Sequence, residues 1–205
     1  MKTTRPVGGF KGLLTSLNGD GRWGAALLAS LGVLLLLQAG GTPTLEALRY
    51  DRGPLAAGQW WRLVSAHLVH LDLRHTLLNG AGLGLMWGLF ARDYHPRQWL
   101  LILVAAACVI DAGLWFRDTG VMWYLGASGV LHGVMAAGTL AALRRRERDG
   151  FILAAFLLAK LLYEQTGGVL PFAGGALPVA VNAHLYGALG GLAAALWMKP
   201  RRKRL

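Results

Sequence analysis

The stretch LGASGVLHGVMAAGTLAAL, Leu125–Leu143, runs directly into RRRERDG, 144–150, and its reading decides the fold. Its 19 residues contain no acid, lysine or arginine. As a helix rising about 1.5 Å per residue they cover about 28 Å, close to the roughly 30 Å of a bilayer core. Arg144, Arg145, Arg146 and Arg148 then form the basic flank that marks the cytoplasmic end of a membrane helix. The segment therefore reads as a span entering from the outer face. It carries Ser128 and His132 where hydrogen-bonding groups are expensive.

Five further apolar segments lie around it: Trp23–Ala39, Leu71–Phe90, Trp99–Trp115, Phe151–Tyr163 and Val179–Met198. The fifth span in chain order, Phe151–Tyr163, reaches crossing length only if Glu164 to Gly168 continue it. Polar breaks (GGTPT, RDYHPR, RDTG, RRRERDG, TGGVLPFAGGALP) separate all six spans. The 205-residue chain is 55% hydrophobic and 15% charged, which excludes a disordered chain and argues against an ordinary soluble enzyme. A net charge of +11 raises nucleic-acid binding as a possibility, and placement of the charges answers it. With six crossings, fifteen of the 21 basic residues fall on one side, in the N-terminal segment, the second and fourth loops and the tail from Lys199. Arg49, Arg52, Arg62 and Arg117 fall on the other. The charge thus records topology, with both termini cytoplasmic, and no nucleic-acid partner is expected. The reading divides the chain into a cytoplasmic segment 1–22, a six-helix all-α membrane domain 23–198 and a basic tail 199–205. The apolar run of the first span exceeds a usual signal core, which favours a retained span over a cleaved leader. Cys108, alone, excludes an internal disulfide or a multi-cysteine zinc site.

The second, fourth and sixth spans run from outside to inside, and each carries a polar group near its start. His75 is the fifth residue of its span, Ser128 the fourth and His184 the sixth, so the three share a depth within about 3 Å. Gly126, Gly129 and Gly133 surround the serine, and Gly187 and Gly191 lie on the face of His184. Such small-residue faces let membrane helices approach closely. A serine within reach of a histidine is the minimal activated nucleophile. His75 and Asn79, at i and i+4, share a face and offer N–H donors for an oxyanion. Taken singly, each has a blander reading: a serine bonded to its own helix, a structural histidine, a glycine stripe for packing.

These residues resemble the rhomboid family of intramembrane serine proteases. The family's Gly-x-Ser-Gly reads Gly126-Ala127-Ser128-Gly129, and its Ala-His-x-x-Gly-x-x-x-Gly reads Ala183-His184, Gly187 and Gly191. Its His-x4-His-x3-Asn reads His70, His75 and Asn79, and its loop Trp-Arg pair reads Trp61-Arg62. The resemblance implies Ser128 as nucleophile and His184 as general base, a dyad with no required carboxylate. Neither Asp72 nor Glu164 stands out as an orienter. It also implies an oxyanion hole of His75, Asn79 and the Ser128 backbone N–H, with no metal and no cofactor. Where many rhomboids carry a tyrosine four residues after the serine, this chain has His132. His132 takes over the packing role, bonds to His184, or competes as base, and an orienting role is favoured. His67 is offset by one residue from a further histidine of many relatives.

The Ser-Gly-x-x-His-Gly run, Ser128 to Gly133, is similar to the rhombosortase subgroup. That subgroup is associated with exported bacterial proteins bearing a C-terminal Gly-Gly tag, a helix and a basic tail. The resemblance implies cleavage of a transmembrane-anchored protein near the outer face of a bacterial inner membrane, in contact with the lipid bilayer. The His67/His70 region is expected to line the water entrance. The alternatives are a non-catalytic client-binding relative and a small histidine-relay transporter, for which Asp111 would be the deep acid. A metal site at His67, His70 and His75 lacks any His-Glu-x-x-His support.

Overall fold

The computed structural model describes residues 21–167 and 180–201, and it is mostly helical. Helix α1 (Gly21–Ala39) ends at a bend, and α2 (Gly41–Leu48) leaves at 109° to it. Gly41 makes that bend at φ 63°, in the left-handed region that costs glycine little. A loop segment follows with β1 (Tyr50–Asp51), α3 (Arg52–Ala56) and α4 (Arg62–Ser65). Then come α5 (Leu73–Phe90), α6 (Pro96–Ala112) with a π-helical turn at Gly113–Arg117, and β2 (Trp123–Tyr124). The chain closes with α7 (Ser128–Arg144), α8 (Arg148–Thr166) and α9 (Val181–Leu196).

Each expected span overlaps one long helix, with several boundaries moved for physical reasons. The second starts at Leu73 because Asp72 caps it, its carboxylate accepting from the His75 N–H at 2.7 Å. The fourth starts at Ser128, not Leu125, because Gly126 holds φ 112°, far from helical values. Ser128 is thus the first residue of its helix. The fifth runs on past Glu164 to Thr166. The expectations placed on residues 1–20, 168–179 and 202–205, including Lys2, Arg5, Lys11, Arg202, Lys203 and Arg204, lie outside the described residues.

Pro96–Arg117, with 22 residues and a mean hydropathy of 2.2, is long and apolar enough to cross a membrane unaided. The first apolar segment reaches that length only together with α2, across the bend at Gly41, and Val181–Leu196 is apolar but has only 16 residues. The surface nevertheless has the character of a lipid-facing one. Leu36, Leu85, Leu100 and Leu162, from four helices, are 59–75% exposed. Exposure of many large apolar side chains on several helices fits an apolar environment or an interface. Helix α7 is enclosed by contrast, with Gly129, Gly133, Ala137, Gly138 and Ala141 buried.

Three devices hold the frame around the start of α7. The β1–β2 pair, Tyr50 opposite Tyr124 and Asp51 opposite Trp123, pins the first loop to the strand before Ser128. Arg52 donates to the Leu114 and Trp115 carbonyls at 2.7 and 2.6 Å, and so closes the π-helical turn. Buried Arg62 bonds Gln59 Oε1 and the carbonyls of Glu46 and Arg49, each at 2.8 Å, bracing the loop on α2. At the opposite end Arg144 donates to the carbonyls of Ala195, Leu196 and Met198 at 2.6–3.0 Å. These include orphan carbonyls at the end of α9. Arg145 pairs with Asp93 at 3.2 Å and Glu147 at 2.7 Å. Two arginines read as topology markers therefore also tie helices together.

Candidate active site

Helices α7 and α9 touch along glycine. A methyl group at Gly187 would fall on the Gly129 carbonyl, and one at Gly191 on the backbone of Gly133. At Gly129 it would stand 2.9 Å from the Ala183 carbonyl, and at Gly133 2.7 Å from that of Gly187. The expected packing glycines thus form one seam with backbone against backbone. The seam brings Ser128 to His184: Oγ lies 2.9 Å from Nε2. Its alignment comes from the loop before α7. The Gly126 N–H donates to the Ala66 carbonyl at 2.9 Å, and buried Tyr124 donates its hydroxyl to the Gly126 carbonyl at 3.0 Å. Burial pushes the Tyr124 phenol pKa up, which keeps it a neutral donor. A Cβ on Gly126 would stand 3.0–3.1 Å from the His75 ring, so glycine lets that imidazole lie against the loop.

Hydrogen bonding fixes both tautomers. His184 Nδ1 faces Glu164 Oε2 at 3.0 Å, and a carboxylate only accepts, so Nδ1 carries the hydrogen. That leaves the Nε2 lone pair for the Ser128 hydroxyl. His132 Nδ1 donates to the Ser128 carbonyl at 2.7 Å, which anchors its ring one turn below. The ring stacks on His184, centroids 4.2 Å apart and planes 16° from parallel. Of the alternatives open for His132, the geometry is that of stacking.

Glu164 corrects the expectation of a histidine without an acidic neighbour. It lies on α8 with no side-chain exposure, between His184 and Lys160, whose Nζ pairs with its other oxygen. Its clue was the Lys160/Glu164 spacing of one helical turn inside an apolar run. Glu164 was read only as part of the continuation of a short span and set aside as an orienter of His184.

His132, Glu164 and His184 bring ligand-capable atoms within 4.8 Å of one another. They do not suit a metal ion. Ring lone pairs lie in the ring planes, and two near-parallel planes do not converge on one point. One Glu164 oxygen is already held by Lys160.

On the other side of Ser128, His75 is half-buried, and its Nδ1 lies 3.5 Å from the Leu71 N–H. Asn79 is buried and donates Nδ2–H to the His75 carbonyl at 3.1 Å. The amide thus has one hydrogen engaged with its own helix. Ser128, as first residue of α7, presents a backbone N–H at a helix N-terminus, where such groups lack intrahelical partners. His70 accepts from the Ala127 N–H at 3.3 Å and packs edge-on to His75, centroids 5.0 Å apart. Burial, with the neighbouring His75 second, pushes the His70 pKa down to about 4, so it is a neutral acceptor near pH 7. A partly open cavity of about 220 Å³ is lined among others by Gln38, Thr42, His70 and Asp72. His67, expected beside His70 at a water entrance, is instead buried with Nε2 3.4 Å from Asp111 Oδ1 and its ring edge-on to Tyr124. Asp111, named as the deep acid for the transporter alternative, is the carboxylate that faces His67 there.

Comparison with known proteins shows the family of the chain. The chain is 25% identical over 142 residues to a Bacillus subtilis (strain 168) protein named "Putative rhomboid protease YdcA", covering 69% of this chain and 68% of that one. The Rhomboid domain matches residues 57–201, from the loop before Trp60 to just beyond α9, and takes in Ser128 and His184. With more than half its length matched, this chain belongs to the rhomboid family, whose activity is proteolysis of protein substrates within membranes.

Proposed function

We propose that this chain is an intramembrane serine endopeptidase in which Ser128 is the nucleophile and His184 the general base. The observation that carries it is the 2.9 Å contact between Oγ and Nε2, with the other ring nitrogen hydrogen-bonded to a carboxylate. The Ser128 Oγ–carbon bond forms as its proton moves to Nε2, and the carbonyl pair moves onto oxygen. His184 then gives the proton to the leaving amine as the C–N bond breaks. A water activated by the same nitrogen hydrolyses the acyl-enzyme. The Ser128 backbone N–H, His75 and Asn79 are the candidate oxyanion donors. Asn79 serves with the amide hydrogen not bound to the His75 carbonyl.

The proposal includes six crossings by α1, α5, α6, α7, α8 and α9, within a membrane domain of residues 23–198. The clustering of basic residues supports both termini in the cytoplasm and Ser128 toward the outer face. The substrate is a single-pass membrane-anchored protein whose helix unwinds near the cut, which glycine eases. The Ser-Gly-x-x-His-Gly run supports a rhombosortase-like preference for exported bacterial proteins with a Gly-Gly tag. The test is cleavage of a Gly-Gly-tagged single-pass reporter in vesicles by wild type, Ser128→Ala and His184→Ala. Loss in both variants is expected. Cleavage by Ser128→Ala at the wild-type rate ends the serine-protease reading.

A further inference from the structure

The carboxylate of Glu164 is fully enclosed in a helix that otherwise faces apolar surroundings. Burying an ionised carboxylate is costly unless it is paired and hydrogen-bonded. Glu164 meets this condition with two partners, one for each oxygen. Lys160 lies one turn earlier on α8 and holds Oε1, and His184 Nδ1 faces Oε2 at 3.0 Å. His132 covers one face of the imidazole. His184 is therefore held from three sides: by Ser128 at Nε2, by Glu164 at Nδ1 and by His132 on its face.

We propose that Glu164 is a positioning residue that turns the Ser128–His184 pair into a three-membered relay, with Lys160 fixing which carboxylate oxygen His184 uses. The inference rests on the catalytic reading of Ser128 and His184. Glu164 touches neither substrate nor scissile bond and acts through the imidazole in two ways. It selects the tautomer with hydrogen on Nδ1, which leaves Nε2 free to accept the serine proton. It also faces the positive charge that His184 carries while the tetrahedral intermediate exists. Lys160 matters because its ammonium only donates. Bound to Oε1, it leaves Oε2 as the sole oxygen for His184.

This arrangement makes an unusual prediction for Glu164→Gln. The ammonium of Lys160 claims the amide oxygen and turns the NH2 group toward His184. Nδ1 must then accept, the hydrogen moves to Nε2, and the base is blocked. Turnover should fall by up to about 10⁴-fold with KM little changed, the loss on placing a triad histidine in the wrong tautomer. Lys160→Met combined with Glu164→Gln frees the amide to rotate and offer its oxygen to Nδ1–H. The double variant should recover at least about tenfold over Glu164→Gln while staying below wild type.

The experiment measures kcat and KM on the tagged reporter in vesicles, beside the melting temperature of each variant. A structural role for Glu164 gives the reverse order, the double variant no faster than Glu164→Gln, and that result overturns the proposal. So does wild-type kcat in Glu164→Gln. Where Glu164→Gln does not fold, the double variant carries the test: reduced kcat at unchanged KM supports the relay, and wild-type kcat overturns it. Ser128→Ala, run in parallel, separates the two readings. An inactive Ser128→Ala with a fully active Glu164→Gln refutes only the relay, whereas an active Ser128→Ala refutes the protease reading beneath it.

Discussion

Gly133→Ala tests whether the glycine seam sets the distance between Ser128 and His184, the proposed nucleophile and base. A methyl group there would stand 2.7 Å from the Gly187 carbonyl oxygen and 2.6 Å from Ala106 Cβ, whereas ordinary contact begins near 3.4 Å. Relieving the carbonyl contact requires α7 and α9 to part by about 0.7 Å, the difference between those values. Ser128 is five residues from Gly133, and His184 is three from Gly187. A rigid opening of that size stretches the 2.9 Å Oγ–Nε2 contact to about 3.6 Å, beyond hydrogen-bond range. Misplacement of reacting groups by about 1 Å costs on the order of 100-fold, so kcat should fall about 10- to 100-fold. Overpacking costs about 1–3 kcal/mol, which should lower the melting temperature. The assays are reporter turnover, the rate of fluorophosphonate labelling and thermal melting in detergent. Gly84→Ala is the control, since nothing lies within 4 Å of a methyl group there. Gly133→Ala with wild-type labelling and turnover would refute the claim that the seam positions the pair.

Three further outcomes are expected. Replacing His132 by tyrosine keeps a ring over His184 and should preserve most activity. His132→Ala loses a stacking contact of about 0.5–1.5 kcal/mol and should slow turnover about 2- to 10-fold; equal rates in the two variants would deny the ring a role. The folded-state pKa of His70 lies near 4, below the ordinary 6.5, so the unfolded chain takes up its proton first as pH falls. Stability should therefore decline between pH 6.5 and about 4 by on the order of 3 kcal/mol. His70→Gln, which keeps an acceptor for the Ala127 N–H, should flatten that part of the melting-versus-pH curve; an unchanged slope counts against the assignment. Arg144→Gln should cost about 1.5–3 kcal/mol of stability by releasing charged hydrogen bonds at the end of α9. Turnover per folded molecule should be unchanged, because that end lies far from Ser128; an unaltered melting temperature contradicts the capping role.

The helices and the core pair were legible in the sequence because their signals are local. An apolar run of about 20 residues announces its own helix, and Gly-x-Ser-Gly and Ala-His-x-x-Gly carry Ser128 and His184 with the glycines that pack them. What was not legible depends on contacts between distant segments. Ser128 was read as the fourth residue of a span, but it opens α7, because the positive φ at Gly126 stops the helix from starting earlier. Glu164 went unassigned because its partner is twenty residues away on another helix. Nothing in LLAKLLYEQ states which helix face meets α9. His67 was drawn toward His70 by proximity in sequence, yet it turns toward Asp111 on α6. Arg144 and Arg145 were read from charge alone, and charge does not reveal that a guanidinium fork also fits three backbone carbonyls.

The central claim is that His184 activates Ser128, and chemical labelling addresses it most directly. Protein in lipid vesicles is treated with a fluorophosphonate, and the adduct is located by peptide mass spectrometry in wild type and in His184→Ala. The account predicts a single adduct on Ser128 in wild type, with labelling at least about 100-fold slower in His184→Ala. An adduct on another residue, or labelling of Ser128 at the same rate without His184, would contradict it.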